Sequence, residues 1–173
     1  CAPSVAAREV FQEVDEALGE KLSRLIFEGP GEELTLTANA QPALMAVSLA
    51  AMRTLEREFG VKVARASYVA GHSLGEYSAL AAAGALSITD AARLLRVRGE
   101  AMQAAVPVGE GAMAALIGKV DVALAEEIAK AGAEAGVVVV ANDNNVGNVV
   151  ISGSKAGVDA EVLRAVLTED PAA

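Results

Sequence analysis

The sequence predicts an α/β fold, and three observations predict it. A short apolar run over residues 66–70 leads into the pentapeptide Gly71-His-Ser-Leu-Gly75, which has the form of a sharp strand-to-helix turn. Helix-periodic segments stand on both sides of that turn. Beyond Pro107-Val-Gly-Glu-Gly111 the pattern changes to β-α-β-β-α.

Taken in order, residues 6–18 and 20–27 read as helices, and Gly29-Pro30-Gly31 reads as a turn rather than a domain boundary. A long helix is predicted over residues 41–59, with apolar Leu44, Val47, Ala51 and Leu55 on one side and Arg53, Arg57 and Glu58 elsewhere. Gly60 closes it, and Pro42 fits its first turn, where a missing N–H costs nothing. Residues 66–70 are expected to form a short buried strand, with Gly71 and Gly75 making room for the turn and an alanine-rich helix following over 76–86.

Ser87-Ile-Thr-Asp90 resembles a capping box, opening a helix to about residue 105. Its apolar stripe is Ala91, Leu94, Leu95, Ala101, Met102 and Ala105, which places Arg98 at the centre of the inward face and Arg93, Arg96, Glu100 and Gln103 opposite. Strands are then predicted at 112–117, 137–141 and 148–152, with helices at 122–133 and 155–167. Residues 142–147 read as a polar hairpin connection, and 168–173 have no strand character. This is one strand short of a ferredoxin-like unit.

Composition bounds the function. The chain has 173 residues, 53% of them hydrophobic and only 3% aromatic, enough for a core of small, closely packed side chains. A formal net charge of −9 argues against general nucleic-acid binding. No apolar run reaches the roughly 18 residues that would cross a membrane, and no basic stretch leads into an apolar one at the start, so a cytoplasmic protein is expected. The single cysteine, Cys1, excludes an internal disulfide. As a first residue that is not methionine, it suggests a processed chain or one that begins inside a longer protein; an N-terminal cysteine nucleophile has no other support.

Ser73 is the candidate nucleophile, and the backbone N–H of Leu74 is the expected oxyanion donor. His72 is the sole histidine, but neighbours at a sharp turn project in different directions, so it is expected to pack or hydrogen-bond beside the turn rather than act as base. Arg98 has two readings: a structural pair with Glu76 or Glu100, or a fork that grips a carboxylate at the far end of an acyl group on Ser73.

These residues match a known family. Gly71-His-Ser-Leu-Gly-Glu-Tyr-Ser-Ala-Leu80, Arg96-Val-Arg-Gly99, Gln41-Pro-Ala-Leu44 and Asn142-Asp-Asn-Asn-Val-Gly-Asn-Val-Val-Ile-Ser-Gly153 together resemble the malonyl-CoA:acyl-carrier-protein transacylases and the acyltransferase domains of polyketide synthases. The resemblance implies an α/β-hydrolase-like core over residues 1–110 and an inserted ferredoxin-like subdomain over 111–173, incomplete in this chain. It implies that Ser73 carries malonyl from coenzyme A to the phosphopantetheine thiol of an acyl carrier protein, with Leu74 as oxyanion amide. Arg98 would bind the malonyl carboxylate, with Gln41 and His72 beside the substrate.

No metal or cofactor is implied beyond the coenzyme A thioester substrate, and a monomer is expected. The family's glutamine-bearing glycine loop does not precede Cys1, and its catalytic histidine, placed after the small subdomain, is not present; a partial record of a longer enzyme is therefore expected. Arg93 and Arg96 offer a basic surface for the acidic carrier. The alternatives are a polyketide-synthase acyltransferase, a malonate-decarboxylase transferase, a serine esterase on the same turn, and a binding module that has lost its base.

Overall fold

Helices α1 (Val5–Leu18), α4 (Thr37–Phe59) and α6 (Ile88–Ala105) carry the core of the first half of the chain, with shorter helices α2 (Leu22–Glu28), α3 (Gly31–Leu34) and α5 (Gly75–Ala82) between them. The computed structural model describes residues 4–107 and 109–160; Cys1, the outer part of the helix expected over 155–167 and the 168–173 tail lie outside them. The fold is mixed α/β, in two units that divide between Ala105 and Val106.

In the first unit the buried residues repeat at three- and four-residue steps: Val10 and Val14 on α1, Met45, Ala46, Leu49 and Ala50 on α4, and Ala91, Ala92 and Leu95 on α6. Alanine at so many of these positions lets the helix backbones approach. Helix α6 opens on the capping box read from the sequence. The Asp90 N–H donates to Ser87 Oγ at 2.9 Å, and that hydroxyl donates to the Asp90 carboxylate at 2.6 Å. Gly60, in the left-handed conformation at φ 70°, ends α4 as expected.

Three expectations for this unit need correction. First, α4 starts at Thr37, so Pro42 lies inside it rather than in its first turn. The missing N–H deprives the Ala38 carbonyl of its partner four residues on, and Arg96 of α6 supplies the replacement, donating from Nη1 at 2.8 Å. Second, the buried face of α6 is Ile88, Ala91, Ala92, Leu95 and Gly99, while Leu94, Ala101, Met102 and Ala105 of the expected stripe are exposed. Gly99 decides this. A Cβ there would stand 2.6 Å from Ala38 Cα, so α6 turns toward α4 the one position that permits backbone contact. Arg98 therefore flanks the buried face instead of centring it, and Arg96 packs against α4 with a side chain only 16% exposed. Third, residues 66–70 are not a buried strand: among the described residues they have no ladder partner, and Tyr68 is 92% exposed. An apolar run becomes a strand only when another strand takes its backbone groups.

The second unit holds β1 (Gly111–Ile117), α7 (Val122–Gly132), β2 (Val138–Asn145) and β3 (Asn148–Ser154), and the chain is helical again over 155–160. The strands pair antiparallel in the order β1-β3-β2. Val149 and Ile151 of central β3 are buried, and the Asp121 carboxylate caps α7 by accepting the Leu124 N–H at 2.8 Å. The polar stretch expected as a loop instead extends β2 to Asn145, with register irregularities at Val140/Asn142 and Asp143/Asn145. Only Val146 and Gly147 remain as the turn, with Gly147 at φ 82°. Among the described residues, no helix is long and apolar enough to cross a membrane.

Candidate active site

Ser73 is the one non-glycine residue among those described with a positive φ, at 53°. That conformation costs an L-residue about 1 kcal/mol or more and is held where surrounding structure over-determines it. Here the determinant is Gly71. A Cβ on Gly71 would fall 1.9 Å from the Gly75 carbonyl oxygen and 2.4 Å from the Glu76 nitrogen, so the chain can fold back on itself only over a bare α-carbon. Gly75, expected to share this role, faces open space where its Cβ would stand.

A predicted contrast follows from this asymmetry. Gly71→Ala should lower unfolding free energy by about 1–3 kcal/mol in urea titrations, by overpacking. Gly75→Ala should stay within about 0.5 kcal/mol of the parent.

The turn delivers Ser73, exposed, to the start of α5. The Gly75 N–H donates to His72 O at 2.9 Å, Glu76 to Ser73 O at 3.2 Å and Tyr77 to Leu74 O at 3.1 Å. Among the described residues no backbone acceptor takes the Leu74 N–H, so this amide next to Ser73 is available to a developing negative oxygen. His72 is exposed on the same turn.

Arg98 reaches Ser73 from α6. Its Nη2 donates to Ser73 Oγ at 3.1 Å, and its Nη1 donates to Gln41 Oε1 of α4. Neither Glu76 nor Glu100 pairs with it, and among the described residues no carboxylate lies within ion-pair distance of its guanidinium. A half-buried cation held by a hydroxyl and an amide oxygen keeps its charge uncompensated. It suits an anion that arrives with the substrate.

Gln41 is 3% exposed and makes three contacts: besides accepting from Arg98, its Nε2 donates to Thr37 Oγ1 at 2.9 Å and lies 3.3 Å from Met102 Sδ. The amide orientation is thereby fixed, oxygen toward the cation.

The structure thus brings together Ser73, Leu74, Arg98 and Gln41. Sequence reading missed Thr37 and Met102; starting α4 at Thr37 would have put residue 37 four positions before Gln41, on one face. Of the basic surface expected from Arg93 and Arg96, Arg93 is exposed whereas Arg96 is largely covered. Arg96 pairs with Glu20 and donates to the Ala38 carbonyl and to Asn39 Oδ1, while Arg93 donates to Ala17 O at 3.1 Å. Among the described residues, no cluster of histidine, cysteine, aspartate and glutamate could hold a metal ion. A pocket of about 430 Å³ lined by Val63, Ser67, Tyr68, Val69 and Gly84 includes none of the Ser73 group.

A model of the acyl transferase domain matches residues 2–170. A malonyl CoA-acyl carrier protein transacylase of Bacillus subtilis is 53% identical over 154 residues, covering 89% of this chain and 47% of that protein. The structure resembles the acyl-carrier-protein-S-malonyltransferase of Bartonella henselae at a TM-score of 0.85 and 60% identity, over 96% of this chain and 52% of that one. It also resembles, at a TM-score of 0.82 and 40% identity, a malonyl-transacylase solved in complex with its type II PKS acyl-carrier protein, over 95% of this chain and 52% of that one. The chain spans about half the length of the curated relatives it matches.

Proposed function

We propose, from the premise that this chain belongs to the acyl transferase domain family, that it carries the nucleophile and the acyl-selecting arginine of a malonyl-CoA:acyl-carrier-protein transacylase. The observation that carries the reading is the Arg98 guanidinium, bonded to Ser73 Oγ and Gln41 Oε1 and facing no carboxylate of its own among the described residues. Ser73 Oγ attacks the thioester carbonyl of malonyl-CoA, and the Leu74 N–H receives the oxyanion. The C–S bond breaks, the proton lost by the Ser73 hydroxyl ends on the departing sulfur so that coenzyme A leaves as its thiol, and a malonyl ester remains on Ser73. The phosphopantetheine thiol of the carrier then attacks that ester and frees the serine.

The Arg98 guanidinium is a donor with no acceptor site for the serine proton, so its part is to hold the malonate carboxylate. A serine esterase on the same turn would have no use for an uncompensated cation at this place. The thioester itself supplies the activated acyl group, and no resident cofactor enters the scheme.

The finer architecture belongs to the same proposal. The glycine-pinned turn supports an α/β-hydrolase-like reading of residues 1–110, and the β1-β3-β2 order with α7 supports a ferredoxin-like reading of the residues after 110. An acyl carrier protein as partner is supported by the relative solved with one.

Brief incubation of the intact protein with malonyl-CoA, followed by digestion and mass spectrometry, should find a malonyl adduct on the peptide bearing Ser73. An unlabelled Ser73 peptide under conditions of active transfer would remove the serine-ester route.

A further inference from the structure

The geometry points to Arg96 as a positioning residue for acyl selection, acting on the carboxylate-binding guanidinium of Arg98 through the first turns of α4. This inference rests on the reading of Arg98 as the malonate ligand and deepens it.

Pro42 lacks the N–H that would close the helical bond to the Ala38 carbonyl, and the vacancy falls one turn before Gln41, whose amide oxygen orients Arg98. Arg96 fills it from outside the helix. Its Nη1 donates to Ala38 O at 2.8 Å and to Asn39 Oδ1 at 2.6 Å, while Nη2 pairs with Glu20 beyond the end of α1. Two α-helices, α4 and α6, and the turn between α1 and α2 are tied at this point by one planar fork, with the side chain 16% exposed. Next to it, Gly99 lets α6 touch the same Ala38 backbone, since a Cβ there would lie 2.7 Å from Thr37 O. Thr37 in turn accepts from Gln41 Nε2 at 2.9 Å.

The chain of contacts is therefore short and continuous: Arg96 fixes Ala38 and Asn39, that turn fixes Thr37 and Gln41, and Gln41 holds Nη1 of Arg98. Loosening the turn frees Gln41 to move, and Arg98 then loses the acceptor that aims its fork. A carboxylate-bearing acyl group feels that loss, whereas an acyl group without a carboxylate does not.

The test compares kcat/KM of the intact protein for malonyl-CoA and acetyl-CoA, with thermal melts alongside. Arg96→Ala should lower malonyl transfer by roughly tenfold, the penalty of a slightly misplaced binding group, with acetyl transfer changed by less than about twofold. Arg96→Lys, which can reach Ala38 O but cannot fork to Glu20 as well, should recover part of the preference, and it carries the same comparison should the alanine variant not fold.

Pro42→Ala restores the N–H that Ala38 lacks, so Pro42→Ala/Arg96→Ala should regain at least half of the lost malonyl preference. Equal losses with both donors in Arg96→Ala, or an unchanged selective loss in the double variant, overturn the inference. Arg98→Ala separates the failures. If it lowers both donors equally, the carboxylate reading falls and this inference with it; if it is selective while Arg96→Ala is not, only the role of Arg96 falls.

Discussion

Ser73→Ala should reduce malonyl transfer by at least roughly 10³-fold and abolish the malonyl adduct, because the proposed serine-ester route is left with no hydroxyl oxygen to acylate. Alanine at this position keeps the strained φ of 53°, so its stability is expected to stay near that of the parent. Ser73→Gly is the informative companion. Glycine adopts positive φ freely, so it should be equally inactive yet melt no lower than the alanine variant. Inactivity in both variants, with the glycine variant at least as stable, assigns the loss to the missing hydroxyl. Transfer retained by Ser73→Gly at more than a few per cent of the parent would remove Ser73 from the chemistry.

The parts of this molecule that short-range rules govern were legible in the sequence. The Ser87–Asp90 cap, the Gly60 stop, and the β-α-β-β succession are each set by a few neighbouring residues. Ser73 belongs with them, since a residue between closely spaced glycines after an apolar run announces a sharp turn. The orientation of α6 was not legible, because it depends on what the helix meets. Hydrophobic spacing favoured Leu94, Ala101 and Met102 as the inward side, yet bare backbone at Gly99 proved the stronger determinant, and the facing residue, Ala38, is far away in the chain. The same holds for Pro42. Locally it signals a helix start, and only with α6 in place is its missing hydrogen bond made good by Arg96. Residues 66–70 have the composition of a strand, but strand formation is a pairwise property that composition does not supply.

Arg98→Ala should cut kcat/KM for malonyl-CoA by roughly 10²-fold, the worth of about 2–3 kcal/mol for a charge-assisted pair with a carboxylate, and leave acetyl-CoA within about threefold. The asymmetry is the content of the prediction. Arg98 makes two kinds of contact, one to Gln41 and one to Ser73 Oγ, and they have different consequences. If its service is to hold the far end of the acyl group, the penalty appears only when that end is charged, and it appears chiefly in KM, since a carboxylate remote from the thioester is bound alike in ground and transition states. If instead its service is to aim the serine hydroxyl, every acyl donor suffers alike and the loss falls on kcat. Arg98→Lys sharpens the distinction. An ammonium keeps the charge but not the fork, so it cannot meet Gln41, Ser73 and a carboxylate with fixed planar geometry, and malonyl transfer should recover only in part. Deleting an uncompensated cation also makes the site less hostile to a neutral methyl terminus, so acetyl transfer that rises in absolute terms would be the strongest sign that Arg98 selects against acyl groups without a carboxylate as well as for malonyl.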